Sequence, residues 1–89
     1  MPELSRFFGI IIQMFFNDTK QHFKPHIHAK YGGFEAAIGI EGELLDGSMP
    51  QKQLTLIRAW CVLHEDELYN AWNNAVRYEA VNKIPPLRK

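Results

Sequence analysis

The chain has a single cysteine, Cys61, so neither an internal disulfide nor a paired-cysteine metal site can form. It has no excess of either charge, since 10 Lys and Arg stand against 10 Asp and Glu. Such a surface has no overall field to draw in nucleic acid or an anionic membrane. Long apolar runs are also missing. The longest, Phe7 to Phe16, is interrupted by Gly9 and Gln13 and is too short to span a bilayer. No basic stretch followed by an apolar one opens the chain, and we expect a cytoplasmic protein with no membrane partner. Walker, GxSxG, HExxH and dinucleotide motifs are absent too, which leaves nucleotide hydrolysis, serine-hydrolase and Rossmann chemistry without support.

What remains is an ordinary globular composition on 89 residues, enough for one domain. A domain of this size buries only somewhat more than ~60% of its unfolded surface. Its core is thin, and association with a partner or a second copy would complete it.

The run "GIIIQMFFN" is apolar on both alternating sets and predicts a central strand over Gly9 to Phe16. "NDTKQHFKP" then reads as a loop. Gly32-Gly33 lies between "HIHAKY" and "FEAAIGI" and predicts a two-residue hairpin turn. That turn fixes a register in which Tyr31 faces Phe34, Lys30 faces Glu35, Ala29 faces Ala36 and His28 faces Ala37. Ile27 then faces Ile38, and His26 faces Gly39. Ile27, Ala29, Tyr31, Phe34, Ala36, Ile38 and Ile40 share the core face. His26, His28, Lys30, Glu35, Ala37 and Gly39 share the other, with small residues opposite both histidines. A short further strand is expected around Glu43 to Leu45.

"SMPQ" predicts a helix start with Ser48 as N-cap and Pro50 in the first turn. Leu54, Ile57 and Cys61 form its apolar stripe, and Cys61 reads as a small buried residue. The acids Glu65, Asp66 and Glu67 suit the start of a second helix, so a break is expected near His64. The second helix should run to about Tyr78 and bury Leu68, Trp72 or Ala71, Ala75 and Val76. Trp60, Trp72, Tyr69 and Tyr78 read as core aromatics rather than a base-stacking platform. Pro85 and Pro86 end the helical region, and Ile84 and Leu87 are expected to fold the tail back. The predicted fold class is α+β, a small antiparallel sheet of three to four strands with two helices packed on one face.

Chemistry, if there is any, belongs to His22, His26 and His28. His26 and His28 are two apart on a strand and point the same way. His22 comes from the loop, and Glu35, diagonal to His28, or Asp18 can add an oxygen. His22, His26, His28 and Glu35 thus make a candidate set for a divalent transition metal such as zinc. A metal-free alternative uses the histidines as acid and base on a phosphodiester such as RNA. Lys20, Lys24 or Lys30 would hold the phosphate, and Gln13 would bond a histidine. The leading reading, ahead of both, gives the histidines a structural or interface role. Gln13 itself is either a buried hydrogen-bonding residue or a solvated strand residue. Arg6 either clamps an anion or pairs with Glu3.

Three stretches resemble a known family. They are "MPELSRFFGIII.MFFND", "H..PHIHAKYG" and a helix opening "MPQKQL.L...W..LHEDEL...W". The family is a group of small bacterial proteins catalogued as domain of unknown function 4160. The most specific match is His22, Pro25, His26, His28, Ala29, Tyr31 and Gly32. The chain departs in having Lys24 where the family usually has Pro, Ile27 where it has Phe, and a longer loop at Thr19 to Gln21. The resemblance implies genomic company, because such genes often stand beside one for a domain of unknown function 2442. That arrangement is similar to toxin–antitoxin pairs. From this we expect a module that binds the small protein encoded next to it, by the second sheet face or the aromatic helix surface. A histidine-based hydrolase or ribonuclease using His22, His26, His28, Gln13 and Lys30 is the alternative. A DNA-binding regulator ranks last, because Lys52, Arg58 and Arg77 are too scattered for a recognition face.

Overall fold

A computed structural model describes residues 3–14 and 24–87. Within them the elements are β1 (Glu3–Phe7), β2 (Ile10–Gln13), β3 (His26–Tyr31), β4 (Phe34–Gly39) and β5 (Leu44–Gly47). Helices α1 (Gln51–Leu63) and α2 (Glu65–Val76) follow. The strands pair in chain order as one antiparallel meander, β1-β2-β3-β4-β5. The fold is α+β as the patterning predicts, with five strands rather than three to four.

The extra strand comes from splitting the first apolar run. Phe8 and Gly9, at φ 49° and 78°, turn the chain between β1 and β2. Two successive residues at positive φ are the signature of a type I′ hairpin, whose twist matches that of the strands it joins. The run therefore starts as a hairpin, and the predicted central strand is confined to Ile10–Gln13. Phe15 and Phe16 lie outside the described residues.

The second hairpin has all six predicted β3–β4 partners, from Tyr31↔Phe34 to His26↔Gly39. Register continues across the sheet, so whole rows can be read. On the core side, Ser5, Ile12, Ala29, Ala36 and Gly47 form one row, and Ile27, Ile38 and Leu44 another. On the opposite side stand the rows Arg6, Ile11, Lys30, Glu35 and Glu3, Gln13, His28, Ala37, Asp46. Ile12, Ile27, Ile38, Ile57 and Leu68 are fully buried, each contributing about 1.5–3 kcal/mol over exposure.

The start of α1 differs from expectation. Pro50 occupies the N-cap and no side chain caps the helix, so Ser48 does not serve. Gln53, Leu54, Ile57, Trp60 and Cys61 are buried along α1. The break falls at His64, where φ is −120°. Glu65, Asp66 and Glu67 fill the first turn of α2, where helix-dipole charge favours acids. The second helix stops at Val76 rather than Tyr78. Leu68, Ala71, Trp72 and Ala75 are buried, whereas Val76 and Tyr78 are exposed.

The tail folds back as expected. The Ile84 amide donates to the Leu4 carbonyl at 2.8 Å, and the Trp60 indole donates to the Pro85 carbonyl at 2.9 Å. Ile84 is buried, and Val81 and Leu87 pack against the core. This segment fastens β1, at one edge of the sheet, to α1. No described helix is long and apolar enough to cross a membrane.

Candidate functional site

The histidine pair opens β3. Strand alternation places His26 and His28 on the same side, and their rings stand 5.2 Å apart at 65°. The two rings nevertheless differ in access. His26 is 1% exposed, and Trp72 of α2 lies 5.1 Å from its ring. Its Nδ1 stands 2.8 Å from the Lys24 carbonyl oxygen. That carbonyl can only accept, so Nδ1 donates this bond. His26 is therefore built into the join between the start of β3 and α2. His28 is half-buried and reaches a surface cleft.

That cleft, about 160 Å³, is lined by His28, Glu35, Ala36, Ala37, Asp46 and Gly47. Its shape follows from register. Ala37 stands between His28 and Asp46 in one cross-strand row, and its short side chain leaves a depression between longer ones. Glu35, two residues before Ala37, brings a second carboxylate to the same face. The room that small residues leave beside His28 in the sequence is this depression.

Gln13 is the other neighbour of His28 in register. Its Oε1 is buried and has no hydrogen-bond partner among the described residues. The expected bond to a histidine does not account for that oxygen. Lys30 is exposed opposite Glu35. Arg6 pairs with Glu3 at 2.8 Å, which decides between its two sequence readings. That carboxylate holds the Arg6 guanidinium above its ordinary pKa, and Arg6 in turn holds Glu3 below the usual carboxylate range. At the far end of the sheet Lys24 pairs with Glu43 at 3.0 Å.

His22, Asp18 and Lys20 lie outside the described residues, so the loop contribution to the histidine group falls there too. Among the described residues no group of three or more His, Cys, Asp or Glu is placed to hold a metal ion. Cys61 is buried in α1, and burial pushes its thiol up to about 12, so it is packed as an apolar residue and not poised as a nucleophile.

Sequence reasoning did not single out Asp46. Its signal was there in outline, because a hairpin partner strand within "EGELLDG" can place an acid on the histidine side. A bulge between Ala37 and Ile38 makes that choice unreadable from alternation alone.

A family model described as Domain of unknown function (DUF4160) matches residues 9–73, well over half of the chain. The matched span includes the histidine run, all three strands that line the cleft and α1. No curated protein matches the chain significantly, and no solved structure does.

Proposed function

The chain belongs to the DUF4160 family, and from that premise we propose that it is a partner-binding module whose docking surface is the polar face of the sheet around His28. The observation that supports this reading is the open cleft between His28, Glu35 and Asp46. At about 160 Å³ it is smaller than the ~300–1,000 Å³ hollows that enclose small-molecule ligands. A cleft of that size takes one side chain of a larger partner.

The distribution of polarity supports the same reading. Lys30, Glu35 and Asp46 are exposed on this face, with half-exposed Ile11 among them. Charged groups around a small apolar element steer and orient an approaching protein more than they add affinity. His26, being buried against Trp72, serves this surface from behind by fixing the start of β3. A metal-free reaction using His26 and His28 as paired acid and base would need both rings accessible, and of the two only His28 lines this cleft.

The partner we propose is the small protein encoded beside this one, and the test is a binding titration. The two purified proteins should form a complex by calorimetry that excess chelator leaves unchanged. Reversing the cleft charge with Glu35→Lys and Asp46→Lys should weaken it roughly tenfold or more, in line with two lost charge contacts. A complex indifferent to that double variant, or no complex, refutes the proposal.

A further inference from the structure

The two edges of the sheet are treated differently. At β1 the tail covers the edge, with the Ile84 amide bonded to the Leu4 carbonyl. At the other edge stands β5; among the described residues no backbone hydrogen bond runs outward from it, and the Gly47 amide donates to Asp46 Oδ1 at 2.8 Å, which leaves Asp46 Oδ2 to face a neighbour. The loop after β5 bonds inward, the Ser48 amide donating to the Glu35 carbonyl at 3.1 Å. An uncovered edge offers its remaining N–H and C=O groups to any extended chain that comes alongside.

Register specifies what such a chain would carry. Leu44 continues the row of Ile38 on the core side and is 42% exposed, so a strand laid next to it meets an apolar side chain there. Asp46 continues the row of His28 and Ala37 on the polar side, with Glu35 on the same cleft. A neighbour on that side faces two carboxylates and an imidazole. Opposite charges directly across a strand pair stabilise it and like charges oppose it. A second copy of the chain, paired edge to edge with its faces aligned, would bring the two Asp46 side chains close together. Charge thus disfavours self-pairing.

We infer that the outer edge of β5 is a strand-addition site for an extended segment of a partner protein that alternates basic and apolar side chains. One basic side chain enters the cleft at Glu35 and Asp46, and one apolar side chain covers Leu44. This inference rests on the reading of the polar face as a docking surface and names the partner's chemistry. It adds the backbone edge, which that reading does not require.

The test uses the whole protein and short capped peptides in which Lys alternates with Val, Glu alternates with Val, or Lys alternates with N-methyl valine. Amide spectra should show the Lys–Val peptide perturbing Leu44–Gly47 and slowing hydrogen exchange there. It should bind roughly tenfold tighter than the Glu–Val peptide, as two cross-strand charge pairs imply. Asp46→Lys should reverse that preference, and the N-methyl peptide, which has lost its valine amide donors, should bind markedly more weakly. Equal affinity for both charged peptides, or perturbations away from β5, overturns the inference. So does wild-type protein found as a dimer with β5 amides already protected. If the neighbouring gene product binds and the Glu35→Lys, Asp46→Lys variant weakens it while the peptides leave β5 untouched, the strand-addition site is wrong and the docking face stands.

Discussion

Phe8 is the residue whose conformation is least suited to its side chain. It sits at φ 49°, a region that costs an L-residue with a bulky side chain roughly 1–2 kcal/mol, and it is 42% exposed. Asparagine tolerates this conformation and is the usual first residue of such a turn. Against that stands one edge-on contact with Phe7, at 6.5 Å between ring centres. We expect Phe8→Asn to stabilise the protein by about 0.5–1 kcal/mol, seen as a melting temperature a few degrees higher. A lower melting temperature would mean that the Phe7 contact outweighs the backbone strain. The sequence alone did not place this turn, because Phe-Gly lacks the polar residue that usually marks it. The Gly32-Gly33 turn, by contrast, carried its own signal.

Among the elements, β5 is fixed by a single position. Gly47 has φ 78°, and a Cβ there would collide with the Glu35 backbone. Gly47→Ala should therefore cost about 2–3 kcal/mol through combined strain and overlap, lowering the melting temperature by roughly 8–20 °C. Loss of hydrogen-exchange protection should begin in β4 and β5; an unchanged melting curve would show that the β4–β5 pairing adjusts freely. Legibility varied between elements for physical reasons. The β3–β4 hairpin was readable to the residue because two glycines fixed its turn and alternation did the rest. For β5, the bulge interrupts alternation and shifts the strand to Leu44–Gly47 from the expected Glu43 to Leu45. Ser48 looked like a cap from local chemistry, yet the chain enters α1 through Pro50. The helix break at His64 was legible because three acids in succession suit a helix start.

At the scale of the molecule, α+β organisation and the histidine-bearing face followed from periodicity. The cleft did not, because it needs the long-range register that aligns Asp46 with His28 through Ala37. The extents of the fold also exceed those of the family match. A fragment of residues 9–73 lacks β1, the end of α2 and the tail, which together bury Leu4, Phe7, Ala75 and Ile84. It also strands the Trp60 indole without its Pro85 acceptor. Such a fragment should give the circular dichroism of an unfolded chain, whereas residues 3–87 should fold. A folded 9–73 fragment would show that the outer segments only decorate the sheet.

The link between Ile84 and Leu4 has a kinetic consequence. Every strand pairing in the meander joins neighbours in sequence, and such contacts form sooner than end-to-end ones, because the loops that must close are far shorter than the chain. The tail contact instead spans nearly the whole chain and has nothing to dock on until β1 and α1 are already in place. We therefore expect it to form after the strand pairings, a late step that should show as faster hydrogen exchange at the Ile84 amide than at the amides of the central strands.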